Sequence, residues 1–331
     1  MAATFKAFVV NKKEEAFTAT FKELTQADLP PGEVLVKVAY SSVNYKDGLA
    51  SIPEGRIVRS YPFVPGVDLS GVVVESSDAR FKPGDEVIAT SYELGVSHYG
   101  GFSEYASVKA DWVVPLPSGL TLKEAMALGT AGFTAALAVY KLEYNGLGPQ
   151  NGPVLVTGAT GGLGSVAISI LKNRAYTVAA STGKESEHAY LRALGAGDIL
   201  AREETSAESN RPLEKERWAA GVDAVGGTTL AYLLRTTKYS GSIASCGNTG
   251  GPNFGTTVFP FILRGINLLG IDSVNCPMEL RRQVWEHLAS DYRPEHLLDL
   301  IGHEAPLVEL PQVLAAILKG GVRGRTIIKV S

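Results

Sequence analysis

The chain has 331 residues, which at about 150 residues per domain indicates two domains. Hydrophobic residues make up 45% and charged residues 20%, which is typical of a packed globular protein and excludes a disordered chain. The net charge of −3 provides no basic excess for binding nucleic acid. The two cysteines, Cys246 and Cys276, exclude a disulfide framework and indicate a reducing compartment.

The N-terminal segment has no long apolar core and no small-residue cleavage pattern, so we do not expect a signal peptide. The longest uncharged stretch of interest runs from Ala125 to Tyr140, with Gly and Thr within it. It is shorter than the ~18 residues that a membrane-spanning helix needs, and we predict a buried helix instead. The expectation is a soluble cytoplasmic protein without a membrane or nucleic-acid partner.

The first third of the chain is predicted to form short strands separated by Gly, Pro and Asp turn signals. Near alternation and β-branched residues mark the strands Glu33–Val43, Val72–Glu75 and Glu86–Thr90. Strands this short and closely spaced are typical of a small barrel or sandwich. The pattern then changes, because Ser118 or Thr121 can cap a helix that begins near Leu122.

Beyond this helix, apolar strands alternate with helical segments, which is typical of a parallel sheet covered on both faces. The predicted strands are Val154–Thr157, Thr177–Ala180, Asp198–Leu200, Val222–Val225, Gly241–Cys246 and Ile266–Ile271. The predicted helices between them include Leu163–Asn173 and Ser186–Leu194. We therefore place a doubly wound α/β domain at about 125–270.

The C-terminal segment does not have the pattern of a third domain. Helices are predicted at Met278–Ala289 and Pro311–Lys319, and a strand at Gly324–Val330. We expect this segment to return to the first domain and complete it.

The glycine-rich turn after strand Val154–Thr157 is the sharpest motif in the sequence. The run VLVTGATGGLGSVAISIL aligns with G-x-G-x-x-G, with Ala159 in place of the first glycine. Gly161 would let the backbone approach a pyrophosphate, and Gly164 would let the helix pack on the strand. The helix N-terminus offers free N–H groups to the phosphates. The strand–turn–helix context predicts a dinucleotide site, and the alternative is a glycine-rich turn without a ligand.

The residues after the next strand indicate which dinucleotide binds. NAD sites usually carry an acid about 20 residues beyond the glycines, but none occurs from Ser165 to Lys184. The hydroxyls of Ser181 and Thr182, followed by Lys184, suit a 2′-phosphate, and Arg202 after the next strand can join them. We therefore predict NADPH. In the alternative, Lys184 is solvated and Glu185 binds the ribose of NADH. The predicted cofactor contacts are Tyr45, Thr160, Gly161, Gly162, Leu163, Gly164, Ser181, Thr182, Gly183, Lys184, Arg202, Cys246, Asn248, Ile262 and Ser273.

Three loop motifs occur in the first half of the chain, and the order in which they follow one another indicates a protein family. They are PGVDLSG at 65–71, FKPGDEV at 81–87 and GGFSEY at 100–105. With the glycine loop, the chain resembles the medium-chain dehydrogenase/reductase superfamily over essentially its whole length. The resemblance implies a GroES-like β-rich catalytic domain at 1–124 and 271–331, a Rossmann domain at 125–270, and an active site in the cleft between them. It also implies a homodimer in which the last Rossmann strand, Ile266–Asp272, pairs across the two-fold axis.

Many members of this superfamily are zinc alcohol dehydrogenases, which hold the catalytic zinc with a Cys and a His. The corresponding positions here are Asn44 and Val67, with Asp68 in place of a Glu. The four-cysteine zinc lobe is also missing, because no cysteine precedes residue 246. No ligand-like Cys/His spacing occurs around the histidines His98, His188, His287, His296 and His303. We therefore predict no metal site.

Four further segments are closer to one zinc-free branch. They are NYKD at 44–47, PLEK at 212–215, PFILR at 260–264 and GRT at 324–326. These resemble the YhdH/YhfP-type quinone oxidoreductases, whose relatives include NADPH-dependent acrylyl-CoA reductases. The resemblance implies that NADPH reduces a quinone or an activated C=C bond, as in an enone or a 2-enoyl-CoA. Arg56, Arg59 and Arg264 are available to the phosphates of coenzyme A.

Reduction of an activated double bond does not need a metal, because the charge spreads onto a carbonyl oxygen as an enolate. Tyr45 follows the strand that carries a zinc ligand in relatives, so its phenol can stabilise or protonate the enolate. Alternatively, Tyr45 only packs against the cofactor. Asn44 is predicted as a neutral donor in the metal position. Asp68 is expected to hold a loop or a basic neighbour, and Asp47 to cap or structure the short segment after the strand. The alternative function is an NADPH-binding redox sensor or scaffold without significant turnover.

Overall fold

The computed structural model describes residues 3–14 and 16–331, and within them the chain divides into two compact units. The first unit contains the chain up to residue 130 together with 274–286 and 302–331. The second contains 131–273 and 287–301. The predicted domains differ from these units, because residues 125–130 lie in the first unit and residues 271–273 and 287–301 lie in the second. Within 287–301, Tyr292 donates to the Glu143 carboxylate and Asp291 accepts from Arg174, which ties the segment to the second unit.

Seven strands and a short helix precede residue 116. In chain order they are β1 (Thr4–Lys13), β2 (Ala16–Thr25), β3 (Val34–Val43), α1 (Tyr45–Ala50), β4 (Asp68–Ser76), β5 (Glu86–Thr90), β6 (Tyr105–Val108) and β7 (Val113–Pro115). The next helix is α2 (Leu122–Tyr144). Gly129 within it has φ 52° and ψ −157°, so α2 consists of two helical segments joined by a kink.

Strands and helices alternate through the second unit. They are β8 (Val154–Val156), α3 (Gly162–Asn173), β9 (Val178–Thr182), α4 (His188–Leu194), β10 (Asp198–Ala201), α5 (Arg202–Thr205), β11 (Trp218–Asp223), α6 (Gly227–Thr236), β12 (Thr237–Ser245), α7 (Phe259–Arg264) and β13 (Asn267–Gly270). The remaining elements are α8 (Met278–Ala289), β14 (Gly302–Pro306), α9 (Leu310–Leu318) and β15 (Arg325–Lys329).

A seven-stranded sheet forms the centre of the first unit. Its order is β14-β15-β3-β4-β5-β7, with β6 also paired to β3, and β1 and β2 form a separate antiparallel hairpin. Burial alternates along the first half of β3, where Val34, Val36 and Val38 pack into a core with Phe63 and Phe102. The return of β14 and β15 to this sheet confirms that the C-terminal strand completes the first domain.

The second unit contains a six-stranded sheet of order β10-β9-β8-β11-β12-β13, with every pair parallel. Strands β8, β9 and β11 are buried at all their positions, as expected when both faces of a parallel sheet are covered. Numbered within the unit, the order is 3-2-1-4-5-6, which is that of doubly wound dinucleotide-binding folds. The predicted fold class is therefore confirmed. The crossovers change direction beside β8, so the ligand crevice lies at the carboxyl ends of β8 and β11.

The boundaries of the elements differ from the prediction where a buried position is polar or small. Strand β5 and helix α8 have the predicted bounds. Strand β4 begins four residues earlier, because Asp68 and Ser70 are buried and pair with β5. Strand β11 lies at 218–223 rather than 222–225, since Ala219 and Gly221 give no β-branched signal.

Thr121 is the cap of α2, which decides between the two predicted caps. The Glu124 N–H donates to the Thr121 hydroxyl at 3.2 Å, and the Thr121 N–H donates to the Glu124 carboxylate at 2.9 Å. This reciprocal pair is a capping box. By length and mean hydropathy (1.3) alone, α2 could cross a membrane, but 78% of that stretch is buried in the protein, as in the core helix of a globular fold.

Candidate functional site

A tight glycine turn joins β8 to α3 in the second unit. Gly158 has a φ of +58°, a conformation that glycine adopts without steric cost. A Cβ at Gly164 would lie 2.6 Å from the Gly158 carbonyl oxygen and 2.7 Å from the Ala159 Cα. Both neighbours are backbone atoms, so only glycine lets α3 approach the turn this closely.

Gly161 is the N-cap residue of α3 and borders open space. Apart from its chain neighbours, a Cβ built on Gly161 meets the Gly158 carbonyl oxygen at 3.4 Å and no other described atom within 4 Å. The amides of Gly162, Leu163 and Gly164 come first in α3, where N–H groups have no partner within the helix. Free donors, the helix dipole and open space fit the pyrophosphate of a dinucleotide.

Asp223 braces this turn from the end of β11, and the sequence analysis missed it. Its carboxylate accepts from the Thr157 hydroxyl at 2.6 Å and from the Gly226 N–H at 2.9 Å. Burial raises the pKa of the Asp223 carboxyl above its usual value, against the effect of these hydrogen bonds. The available signal was an acid at the end of the strand next to β8.

Gly183 and Arg202 come together where β9 and β10 end. Thr182 pairs with Ala201 in the sheet, so the residues that follow lie side by side. A Cβ at Gly183 would be 2.8 Å from the Arg202 guanidinium carbon, which therefore packs over the glycine. The Lys184 N–H donates to the Thr182 hydroxyl at 3.0 Å. Two cationic residues thus lie at or beside the carboxyl ends of neighbouring strands, which suits a 2′-phosphate.

Ser181 differs from the prediction. It is buried, and its hydroxyl lies 2.6 Å from the Thr205 hydroxyl. The side chain therefore holds β9 to α5 instead of offering a donor to a cofactor. Glu185, the alternative ribose-binding residue, is exposed and begins a short 3-10 turn directly after Lys184.

The other predicted cofactor contacts of the second unit differ in their exposure to solvent. Burial raises the pKa of the Cys246 thiol, which disfavours the nucleophilic thiolate. Asn248 is exposed, with its Cα close to Gly226. Ile262 is 68% exposed on α7, and the buried Ser273 hydroxyl accepts from Thr134 at 2.7 Å. Thr160 is buried in the glycine turn.

Asn44 and Tyr45 begin α1 in the first unit. Asn44 is the N-cap residue, and Tyr45 is the first helical residue and is 51% exposed. The Asn44 amide nitrogen lies 2.7 Å from an Asp68 carboxylate oxygen and 3.3 Å from an Asp47 oxygen. Both amide hydrogens are therefore engaged by carboxylates. This corrects the prediction of Asn44 as a donor in the metal position.

Two buried carboxylates organise this end of β3. Asp68 accepts from the Ser42 hydroxyl at 2.7 Å and from the Thr130 hydroxyl at 2.5 Å. Asp47 accepts from the backbone N–H of Asn44 at 2.7 Å and of Val67 at 3.0 Å. These contacts confirm the expected holding roles. Burial and the neighbouring Asp68 raise the pKa of Asp47 to about 7, although its hydrogen bonds act in the opposite direction.

Arg325 is a buried cation whose role the sequence analysis missed. Its Nη1 donates to the Val43 carbonyl and to the Asn44 amide oxygen, each at 3.0 Å. Its Nη2 donates to the Ser42 hydroxyl at 2.7 Å and lies 3.5 Å from Asp68. Burial lowers the pKa of the Arg325 guanidinium below its usual value, although the carboxylates of Asp68 and Asp47 act in the opposite direction. Two signals were available: Arg325 precedes the apolar pair Ile327 and Ile328 in the predicted strand, and it lies in the GRT segment at 324–326.

The three arginines considered for coenzyme A are not equivalent. The Arg264 guanidinium donates to the carbonyls of Arg235, Thr237 and Glu214 and pairs with Glu216. Arg264 is therefore committed to the packing of the second unit. Arg56 and Arg59 are exposed in the first unit.

Comparison with known proteins identifies the family. Residues 30–118 match the alcohol dehydrogenase GroES-like domain, and residues 162–290 match the family described as zinc-binding dehydrogenase. "Putative quinone oxidoreductase YhfP" of Bacillus subtilis is 53% identical over 99% of this chain and 100% of its own. A solved structure of Bacillus subtilis yhfP with NAD bound superposes with a TM-score of 0.97 at 52% identity, over 99% of this chain and 100% of that one.

Two more relatives point the same way. Acrylyl-CoA reductase AcuI of Ruegeria pomeroyi is 53% identical over 99% of both chains. The yhdH oxidoreductase of Salmonella enterica, solved in complex with NADP, has a TM-score of 0.96 at 45% identity, covering 98% of this chain and 100% of that chain. The chain therefore belongs to the medium-chain dehydrogenase/reductase superfamily, within the YhdH/YhfP-type branch that contains the acrylyl-CoA reductases.

Zinc does not fit the residues at the position where relatives in this superfamily hold it. Asn44 and Val67 provide no thiolate or imidazole, and the Arg325 guanidinium lies beside Asp68. A divalent cation at Asp68 would be repelled by that buried guanidinium. Among residues 3–14 and 16–331, no group of three His, Cys, Asp or Glu side chains is arranged to hold a metal ion.

Proposed function

We propose that this protein is an NADPH-dependent reductase of quinones or of C=C bonds activated by a carbonyl. The observation that carries the proposal is the glycine turn, where Gly164 packs on backbone atoms and Gly161 leaves open space before α3. The relatives support it, because one is named as a putative quinone oxidoreductase, another as an acrylyl-CoA reductase, and the two solved structures have NADP or NAD bound. When bound, NADPH supplies a hydride from nicotinamide C4.

The preference for NADPH is proposed from charge. Arg202 packs over Gly183 and Lys184 follows it, so the ends of β9 and β10 supply two cations for a 2′-phosphate. The Thr182 hydroxyl accepts from the Lys184 N–H and keeps its own hydrogen to donate, whereas the Ser181 hydroxyl is paired with Thr205. The yhfP structure has NAD bound, and NAD would fit the glycine turn of this chain as NADP would, because both dinucleotides share the pyrophosphate.

The residues of the first unit would manage the charge and proton of the reaction. Hydride addition to the β-carbon of an enone or enoyl thioester leaves an enolate, whose oxygen needs a donor and whose α-carbon needs a proton. We assign to the phenol of Tyr45, which is exposed at the start of α1, the roles of hydrogen-bond donor and general acid to the enolate. Asn44 positions this turn, since its amide is held by Asp68, Asp47 and Arg325.

The test is NADPH oxidation against quinones, enones, acrylyl-CoA and crotonyl-CoA, with wild type and Tyr45→Phe. General acid help is worth about 10²–10⁴-fold, so Tyr45→Phe should lower kcat on enoyl substrates with NADPH affinity nearly unchanged. Quinone reduction should be less affected, because a hydroquinone anion takes its proton from water. NADPH binding without turnover of any acceptor would refute the reductase. Near wild-type kcat for Tyr45→Phe on both classes would leave Tyr45 as a wall residue.

We also propose a cytoplasmic homodimer formed through the segment Ile266–Asp272. Strand β13 is the last strand of its sheet in the described structure, so no neighbouring strand covers its outer edge and a second copy can pair there. Exposed apolar side chains line the neighbouring segment at Phe254, Val258, Phe259, Ile262 and Leu263. Sedimentation should give twice the chain mass of 35.1 kDa, and a monomer at micromolar concentration would contradict the dimer.

A further inference from the structure

One guanidinium holds the three residues that precede Tyr45. Arg325 donates to the Ser42 hydroxyl, the Val43 carbonyl and the Asn44 amide oxygen, at 2.7 to 3.0 Å. Arg325 is fully enclosed at 3% exposure, and Asp68 at 0% balances its charge. The end of β3 and the start of α1 are therefore fixed from β15, more than 280 residues along the chain.

The contact also sets which way the Asn44 amide points. Its oxygen accepts from Arg325, and its nitrogen donates to Asp68 and Asp47. A reversed amide would face the guanidinium with a second donor and the carboxylates with an acceptor, losing all three hydrogen bonds. Asn44 is thereby locked as the N-cap of α1.

Helix α1 needs such support because it has six residues, too few to be stable alone. Its middle is held by packing, since a Cβ at Gly48 would be 3.0 Å from side-chain atoms of Ile317 and Leu318. That packing does not set the direction of the first turn, where Tyr45 lies. The cluster around Arg325 does so through the N-cap residue.

We propose that Arg325 is the positioning residue for the Tyr45 phenol, with Asp68 as its counter-ion. This inference rests on the proposed role of Tyr45 as the donor to the enolate. Catalytic groups must be held within about 0.5 Å and 10–20° of their productive geometry. A tilt of the first turn of α1 displaces the phenol more than the backbone, because the hydroxyl is at the far end of the side chain. Misplacement by about 1 Å can cost about 100-fold in rate.

Arg325→Lys separates the geometry from the charge. Lysine keeps the cation that balances Asp68, but a single nitrogen cannot reproduce the planar fork that spans Ser42, Val43 and Asn44. We expect kcat on an enoyl substrate to fall about 10- to 100-fold, with the NADPH dissociation constant within about twofold of wild type. Arg281→Lys is the matched control, since Arg281 is fully buried in the same unit but donates to Thr90 and Tyr92.

The decisive measurement is a double-mutant cycle with Tyr45→Phe. If Arg325 acts through the phenol, Arg325→Lys should lower kcat strongly in wild type and less than about threefold in the Tyr45→Phe background. Equal losses in both backgrounds would overturn the positioning role, as would an equal loss in the Arg281→Lys control. If Tyr45→Phe alone is as active as wild type, the donor role of Tyr45 fails, which is a different result from additivity.

A second variant keeps the test valid if Arg325→Lys does not fold. Asn44→Ser retains a good N-cap and leaves the Arg325–Asp68 pair intact, but it removes the amide that links Arg325 to α1. It should show the same loss of kcat and the same dependence on Tyr45. Wild-type kcat in a folded Asn44→Ser enzyme would overturn the proposal.

Discussion

Two alanine substitutions in the glycine turn separate packing from binding. In Gly164→Ala, the new methyl carbon would lie 2.6 Å from the Gly158 carbonyl oxygen. Cβ atoms are essentially never found closer than 3.0 Å to another atom, so the methyl would be 0.4 Å too close. The neighbours are backbone, so α3 must move. Overpacking costs about 1–3 kcal/mol, and three rigid neighbours place this site near the upper end. The helix propensity of alanine returns about 1 kcal/mol, which leaves a net loss of about 2 kcal/mol in unfolding free energy.

Gly161→Ala should behave in the opposite way. Its Cβ has only the Gly158 oxygen nearby, at 3.4 Å, and the φ of −79° suits alanine, so stability should stay within about 0.5 kcal/mol. The methyl would occupy the space offered to the pyrophosphate. Loss of one charged hydrogen bond there, at about 1.5–3 kcal/mol, weakens NADPH binding about 10- to 100-fold.

Urea unfolding without ligand and a fluorescence titration with NADPH measure the two effects separately. NADPH at a hundredfold excess over its dissociation constant stabilises a protein by about 2.7 kcal/mol, so Gly161→Ala should also show a smaller ligand-induced stabilisation. A Gly161→Ala variant that binds NADPH like wild type would refute the assignment of the turn to the pyrophosphate. A Gly164→Ala variant as stable as wild type would refute the packing argument.

Three further outcomes follow from the site. Lys184→Ala, and likewise Arg202→Ala, should weaken NADPH about 10- to 100-fold and NADH much less, and equal losses for both dinucleotides would reject the 2′-phosphate site. The pKa of Asp47 is raised to about 7, so ionisation of this carboxyl disfavours the folded state. In urea unfolding, the stability of the wild type relative to Asp47→Asn should therefore fall by about 3 kcal/mol from pH 5 to pH 8. A difference that rises with pH would contradict the burial argument. Activity should survive exhaustive chelation, because Asn44 and Val67 are not zinc ligands, and stoichiometric zinc in active protein would exclude this reading.

Local chemistry decided which parts of the fold could be predicted. Helix α8 and strand β5 were bounded correctly because their apolar periodicity and flanking turn signals agree. The start of β4 was missed because Asp68 and Ser70 are buried polar residues whose partners lie elsewhere in the chain. The glycine turn could be predicted because its glycine spacing falls between an apolar strand and a helix, which is the local pattern of a dinucleotide-binding turn.

The candidate site shows the same limit. Ser181 is predicted to donate to the phosphate, but its hydroxyl is hydrogen-bonded to the hydroxyl of Thr205, 24 residues later in the chain. Asn44 is predicted as a neutral donor in the metal position, but Asp68 and Arg325, which lie 24 and 281 residues later in the chain, hydrogen-bond its amide. A single sequence does not state which distant side chains meet. The positions of such residues can be predicted, but not the direction in which their polar groups point.

The discontinuous second unit has a consequence for how the chain folds as it is synthesised. The unit is interrupted by 274–286 and completed by 287–301, whose Tyr292 and Asp291 bind Glu143 and Arg174. A nascent chain that has emerged only to residue 273 therefore has its whole parallel sheet but lacks the partners of that acid–base pair. The first unit is completed later still, because β15 inserts between β14 and β3 and brings Arg325 to the buried Asp68 carboxylate at the start of β4. Neither unit can mature before most of the other has been made, so the two units become native almost together, once β15 has been synthesised.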